Sequence, residues 1–503
     1  ASVAPADSLD PLVMAFDAGS SSLRILVYDS RGRMIDGWEI HRPYSTHTTP
    51  DGGSFIDADF LLEQAVNVIS AGLEMITRNG RTPAAVACDT FWHSLIGVDS
   101  AGRAVTPIYT WADTRSKQAA IELRRRLDQK AIHHRTGCGL HSSYWPAKLL
   151  WLHREHPELA RKTRHWMSFG EYLYLRLFGE RRVSISMASG TGLLDQKEAT
   201  WDVELLQELP IETDQLSTLT DYDDALRGLQ PSYAAEWPAL AKVPWFLALG
   251  DGACNNVGSG GISEEWPVAM VGTSGALRVV RSSEQVKIPP HLWTYHVDRT
   301  CFVQGGALSA GGNLFAWLER LLRLGPVASQ ERALSAMSPD AHGLTILPFL
   351  AGERSPDWNP TARAAYVGMT FHTEGIDLLR ASLEAIAYRF ALIYGMLREV
   401  IPAPRGIIGS GAGLIHSPAW MQIMSDVLAE PLYASAVPEA TSRGAALLVL
   451  EALGSINRDD TRPALGTEYA PNPTNGGIYR SAMERQQQLY RALIGPPPRE
   501  ETP

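Results

Sequence analysis

Three short turns and one aspartate carry the chemistry that this sequence advertises. Asp17-Ala-Gly-Ser-Ser-Ser follows the apolar run Leu12–Phe16. Gly272-Thr-Ser-Gly follows Val268–Val271, and Gly409-Ser-Gly-Ala-Gly follows Gly406–Ile408. A turn at a strand end exposes several backbone N–H groups, and glycine lets a phosphate come close to them. The hydroxyls of Ser20, Ser21, Thr273 and Ser274 can add hydrogen bonds. Two such turns across a cleft would clamp a polyphosphate. The third, between a strand and a capped helix, suits a nucleotide sugar or base. Taken singly, each is also an ordinary Gly/Ser turn. There is no G-x-x-x-x-G-K-[ST] P-loop, and those turns hold no complete G-x-G-x-x-G.

Two aspartates stand out. Asp17 lies beside amides suited to phosphate, where a carboxylate would repel the ligand unless it held a metal ion. Asp251 follows the apolar run Val243–Leu249 and is flanked by Gly250 and Gly252. A carboxylate exposed at such a strand end suits a general base. For both, a turn-forming Asp is the plain alternative. Trp92-His93 and Trp111-Ala-Asp113-Thr-Arg115 pair an aromatic face with hydrogen-bonding groups, as a sugar site requires. His153 and His156 sit among Arg154, Glu155 and Glu158 and read as a solvated helix face. Glu353-Arg354-Ser355-Pro356 reads as a polar turn with its own ion pair.

These residues need a framework to hold them. Leu12–Phe16, Leu23–Tyr28 and Met34–Ile40 read as an antiparallel meander. Leu62, Val66, Ile69, Leu73 and Ile76 mark one face of a helix, with Asp57 or Asp59 as cap. Ala84–Cys88 then reads as a buried strand. The second half repeats the theme, with a strand, a Gly-Ser/Thr turn and a strand opening on Leu-Arg. One supersecondary unit used twice is therefore expected. A long helix follows from the spacing of Leu379, Leu383, Ile386, Phe390, Ile393 and Leu397, and another starts with Ser417 as N-cap and Pro418 first. The fold class is α/β. A boundary is expected near Gly258–Gly261, an acidic excursion over 204–236, and a frayed tail over 496–503.

Size and composition narrow the classes. At 503 residues, two domains are expected. Lys+Arg is 45 against Asp+Glu 55, a net charge of −10, which argues against a nucleic-acid grip. No apolar run reaches a bilayer span, and the first residues lack a basic signal region. Cys88, Cys138, Cys254 and Cys301 are scattered, as buried thiols in a reducing compartment would be. Cytoplasm is the expectation.

In order and spacing, Asp17-Ala-Gly-Ser-Ser-Ser, Gly-Asp251-Gly, Gly272-Thr-Ser-Gly and Gly409-Ser-Gly-Ala-Gly resemble the motifs of FGGY-family carbohydrate kinases. The stretch from Ala364 to Glu384 resembles that family's C-terminal signature. The resemblance covers about Leu12 to Leu493. It implies two actin-like (ribonuclease H-like) domains, 11–257 on the sugar side and 258–495 on the nucleotide side, with ATP and Mg²⁺ in the cleft between them. Asp17 would be the metal-organising acid, with Gly19, Ser20 and Ser21 in the first phosphate loop. Gly272 and Thr273 would form the second loop, and Gly411 and Ala412 would lie near adenosine. Asp251 would be the base. Trp92, His93, Trp111, Asp113, Arg115 and Asp251 would contact the sugar.

Within that family, Gly272–Arg278, Gly352–Trp358 and Asp251–Asn256 are most similar to gluconate kinases. Phe91-Trp92-His93-Ser94 departs from the Gln-Met-His-Gly usual in xylulose kinases. The resemblance therefore implies phosphorylation of a sugar or sugar-acid hydroxyl, first D-gluconate to 6-phosphogluconate. A pentulose or polyol kinase (xylulose- or ribulose-like) is the alternative. An actin-fold binding ATPase without sugar transfer is a reading of another class. A glycosidase built on Asp113 and Asp251 leaves the three turns unexplained. A homodimer stays open.

Overall fold

The computed structural model describes residues 2–283 and 286–495. The tail 496–503 lies outside them. Two mixed sheets organise the chain. The first runs in the order β1 (Ser2–Val3), β4 (Met34–Pro43), β3 (Ser22–Tyr28), β2 (Val13–Ala18), β5 (Ala85–Thr90), β6 (Leu249–Gly250). The meander β2–β3–β4 is antiparallel, whereas β5 and β6 lie parallel to β2. Every residue of β2 and of β5 is buried, as befits central strands covered on both faces.

The second sheet has β7 (Val268–Val271), β8 (Gly275–Ser282), β9 (Trp293–Asp298), β10 (Cys301–Leu308), β11 (Ile407–Ser410), β12 (Leu432–Ser435) and β13 (Leu465–Tyr469), in the order β9-β10-β8-β7-β11-β12-β13. Here β7 pairs antiparallel with β8 and parallel with β11, as β2 does with β3 and β5. The expected repeat is thus present in the topology, with the turn-bearing strand at the centre of each copy.

Helix α1 (Ala58–Arg78) precedes β5, and α4 (Gly375–Leu397) precedes β11 in the same place. Asp57 caps α1, accepting from the Phe60 N–H at 2.7 Å. Ser417 caps the helix at Pro418–Leu428 as expected. Between β5 and β6 the first unit carries a long insertion, including α2 (Trp145–Glu155) and the stretch 204–236, which folds into short elements. The four cysteines are free and buried. His153 gives its Nδ1 to the Leu149 carbonyl at 2.9 Å, a helix-face role.

Helices α3 (Asp251–Ser259) and α5 (Ala440–Ala452) follow the last parallel-paired strand of each unit and cross in close contact. A Cβ on Gly258 would lie 1.7 Å from the Ala440 carbonyl oxygen, and one on Gly444 would lie 1.9 Å from that of Cys254. Only glycine permits this approach. Ala445–Leu450 of α5 also pack into the apolar core of the first sheet. The sequence-read boundary at 258–261 therefore falls at this crossing, and partly inside a helix.

Helix α6 (Pro473–Leu493) closes the second unit. Its Tyr479 hydroxyl takes a hydrogen bond from Arg380 at 2.8 Å, and its Tyr490 hydroxyl donates to Glu353 at 2.6 Å. Glu384 lies fully buried between Arg380 (2.6 Å) and His342 (3.0 Å). Together with Asp340, these make the one His/carboxylate trio among the described residues with metal-like convergence, but Arg380 and Arg485 already satisfy its acids.

Burial would raise the Glu384 carboxyl, but hydrogen bonding from His342 and the Arg380 charge outweigh it and hold it below its ordinary 4.5. Glu384→Gln is expected to cost about 3 kcal/mol at pH 7. A carboxyl with a depressed folded pKa stabilises the fold above its unfolded pKa and loses that contribution as pH falls through the folded value. The gap between mutant and wild-type denaturant melts should therefore narrow as pH falls below 4.5. A gap unchanged at acid pH would show that lost packing, not the ion pair, causes the effect.

Candidate active site

Asp17 near the end of β2 and Asp89 near the end of β5 stand side by side in parallel register. Leu249 of β6 pairs with Asp89, and Asp251 begins α3 just beyond. Three carboxylates thus gather at one end of the first sheet. Burial raises Asp17 to about 6, with Arg24 opposing from 3.8 Å. Burial, with repulsion from Asp17 and Asp251, raises Asp89 well above the usual carboxylate range. Asp251 is also raised by burial, against the Arg278 charge and the N–H groups of Gly252 and Trp92. The Gly252 N–H reaches its Oδ1 at 2.8 Å.

Asp89 was not among the residues singled out from sequence. It is fully buried, and among the described residues its carboxyl has no partner but the neighbouring acid Asp17. Such a carboxyl, beside a second acid of raised pKa, fits a divalent cation held by one or two carboxylates and completed by phosphate oxygens.

The first turn is braced from outside. The Tyr44 hydroxyl donates to the Gly19 carbonyl, and the Thr46 hydroxyl to that of Ser20 at 3.1 Å. Ser20 and Ser21 are exposed at its rim. The other two turns lie together, because β7 and β11 are neighbours. Gly411 has φ +84°, and a Cβ there would sit 2.4 Å from the Val271 carbonyl oxygen. Gly411 and Gly413 therefore lie against Val271 and Gly272, and Ala412 opens the short helix Ala412–Ile415.

The aromatic residues take distinct places. Trp92 donates its indole N–H to the Ser186 carbonyl at 3.0 Å and stands edge-on to Tyr295 at 4.8 Å. Cβ atoms on Gly190, Gly250 and Gly252 would lie 2.6, 1.9 and 2.6 Å from its ring. Trp92 is thus a wall wedged behind Asp251. His93 adopts φ 68° and gives Nδ1 to the Gly190 carbonyl. Burial, and then the Arg354 charge, push its pKa well down. Its other nitrogen is then an acceptor.

Asp113 and Arg115 spend much of their capacity on each other, at 2.6 Å. Asp113 also accepts from the Ser54 N–H at 3.0 Å. The Arg115 guanidinium lies over Phe55, Tyr109 and Trp151, so the pair braces the loop. Trp111 lies beneath the Arg354 guanidinium at 5.1 Å.

Three further residues escaped the sequence reading. Lys148 of α2 is buried, donates to the carbonyls of Ser143 (2.6 Å) and His93 (3.4 Å), and is pulled down to about 7 by burial. Arg278 of β8 acts electrostatically on Asp251. Arg354 does so as well, and the ion pair expected within its own turn is absent: Glu353 pairs with Arg389 instead. Among the described residues, no helix is long and apolar enough to cross a membrane.

Comparison with known proteins gives matches along almost the whole chain. Residues 12–258 match the N-terminal domain of the FGGY family of carbohydrate kinases, and residues 268–453 match its C-terminal domain. A gluconokinase from Bacillus subtilis (strain 168) is 27% identical over 495 residues, 96% of each chain. Among solved structures, a ligand-bound xylulose kinase from Lactobacillus acidophilus superposes with TM-score 0.89 at 25% identity, covering 97% of this chain and 99% of its own. A gluconate kinase from the same organism gives 0.88 at 25%, with the same coverage.

Proposed function

The chain belongs to the FGGY family of carbohydrate kinases, and from that premise we propose that it transfers the γ-phosphoryl group of ATP to a hydroxyl of D-gluconate, giving 6-phosphogluconate. The family assignment carries the actin-like two-domain fold, the use of ATP and the sugar-kinase reaction class. The choice of acceptor and the roles of individual residues are the proposal. One observation carries it most directly. Asp251 begins α3 just beyond the strand end where Asp17 and Asp89 pair, and it feels both the repulsion of those acids and the attraction of the Arg278 and Arg354 guanidiniums.

In this reading, Asp251 accepts the proton of the acceptor hydroxyl as that oxygen attacks the γ-phosphorus in line. The first step asks little covalent chemistry of the protein, so positioning and electrostatics carry the rate. Amides of the turns at Gly19–Ser21 and Gly272–Thr273 lie against the phosphates, and Gly411–Ala412 beside the adenosine. Asp17 and Asp89 would hold Mg²⁺, which offsets phosphate charge when bound. Trp92 fixes the backbone at Asp251, and His93, Trp111, Asp113 and Arg115 shape the sugar pocket. Residues 11–257 supply most of that pocket and 258–495 the nucleotide side. Closure about the α3–α5 crossing would exclude water and limit idle ATP hydrolysis. Free buried thiols and dependence on ATP support a cytoplasmic setting.

ADP release with Mg-ATP tests the reading against D-gluconate, D-xylulose, D-ribulose, L-ribulose, glycerol, erythritol and no acceptor. Strong stimulation by D-gluconate alone is expected. Stimulation by another acceptor would keep the mechanism and replace the substrate. Acceptor-independent hydrolysis alone would favour an actin-fold ATPase without transfer.

A further inference from the structure

We infer that the acceptor end of the pocket is an anion subsite in which Arg278, seconded by Arg354, binds the carboxylate of an open-chain sugar acid. The inference rests on the sugar-acid kinase reading above and names the groups that would select the acid. Arg278 is only 9% exposed, yet its Nε and Nη1 have no hydrogen-bond partner. The Nε of Arg354 is buried and unpartnered as well. A buried guanidinium without a partner costs several kcal/mol, so a ligand is its natural complement. Guanidinium and carboxylate also match as planar, bidentate partners.

Neighbouring arginines show the contrast. Arg281, three residues along β8, pairs with Glu264, and Arg389 takes Glu353, the residue adjoining Arg354. Among the described residues, Arg278 has no ion-pair partner within salt-bridge distance: burial pushes its pKa down to about 10, the Asp251 charge pulls against that, and the Arg354 charge adds to the lowering. The same charge helps keep His93 and His141 neutral. Two buried guanidiniums thus meet the single Asp251 carboxylate here, although the chain as a whole carries a net charge of −10. Such a site draws in an anion and disfavours nothing in a neutral sugar.

The transferred phosphoryl group is the other anion of the reaction, and the placement of Arg278 favours the acceptor. Arg278 lies four residues along β8 from Ser274, about 13 Å of extended strand from the phosphate turn. A Cβ on Gly252 would lie 3.2 Å from its Nε, and that same Cβ would touch Trp92. Arg278 therefore belongs to the aromatic end of the site, next to the base.

The test uses the full chain with Arg278→Met and Arg354→Met, each checked for folding by its melt. The readouts are kcat/KM for D-gluconate and for neutral D-sorbitol and D-xylulose, with KM for ATP. The acid-to-neutral ratio should fall about 30-fold or more in Arg278→Met. Arg354→Met should move it in the same direction. Equal loss on all acceptors, or a raised KM for ATP with the ratio unchanged, would overturn the inference, since Arg278 would then serve Asp251 or the phosphoryl group. If wild type ignores D-gluconate but takes another aldonate in an Arg278-dependent way, the gluconate reading falls and the subsite stands. If wild type accepts only neutral sugars, both fall.

Discussion

Asp251→Asn is expected to lower kcat by about 10³- to 10⁴-fold while ATP still binds. The amide keeps the size of the side chain and its hydrogen bond from the Gly252 N–H, but it cannot take a proton from the acceptor. Phosphoryl transfer would then depend on solvent as base, in a site that closure dries. The pH profile adds a second signature. The base works only when ionised, and burial raises the Asp251 carboxyl. Wild-type kcat should therefore fall on the acid side at a pH above the ordinary aspartate value of 3.8, and the mutant's residual rate should lose that limb. Rapid-quench ADP release gives kcat, and calorimetric titration gives ATP affinity. Near-normal turnover in the mutant would remove Asp251 from the role of base.

Gly444→Ala is expected to destabilise the fold by about 3 kcal/mol or more, far beyond an ordinary helix substitution. The added methyl would stand 1.9 Å from the Cys254 carbonyl oxygen. That atom belongs to the backbone of α3 and cannot swing aside as a side chain can. The helices must part, and Ala445–Leu450 would leave their places in the core. Gly258→Ala should behave likewise, because its methyl would meet the Ala440 carbonyl oxygen at 1.7 Å. Gly395 in α4 supplies the control. A Cβ there meets nothing within 4 Å, so Gly395→Ala should stabilise by about 0.5–1 kcal/mol. Calorimetric melts of the three variants decide the matter. A Gly444→Ala protein as stable as wild type would mean that the crossing is loose.

The chain made its turns legible and kept its burial hidden. Asp17, Asp251 and the three glycine turns could be found because strand, turn and acid follow one another locally. The long helix over Gly375–Leu397 followed from its period, and the repeat from two similar turns. Asp89 was missed because the strand was ended one residue before it, at Cys88, although β5 runs on to Thr90. A buried acid at a strand end looks like the first residue of a turn. Lys148 was passed over as an ordinary helix lysine, although the apolar run Trp145–Leu150 around it is buried on every side. Arg278 and Arg354 lay in stretches that were marked, but nothing there showed that they would be left unpaired. Whether an arginine is paired depends on which carboxylates the fold brings near, and Glu353 proved to be spent on a distant helix. The roles of Asp113 and Arg115 were obscure for the same reason, since their mutual pairing is a matter of side-chain geometry.

Helix α6 has a bearing on the order in which the protein matures during synthesis. Its Tyr490 holds Glu353, burial having raised that carboxyl to about 7, and Glu353 adjoins Arg354 in the pocket loop. Its Tyr479 joins Arg380 and Glu384. Helix α6 follows every other described element, and domains form broadly as the chain emerges. The first sheet, with Asp17, Asp89 and Asp251, completes its core only when α5 arrives, and the loop bearing Arg354 is anchored later still, by α6. A nascent chain would carry its acids and first phosphate turn yet lack a settled acceptor pocket. Competence would arrive as a late event of translation, set by the docking of a single C-terminal helix.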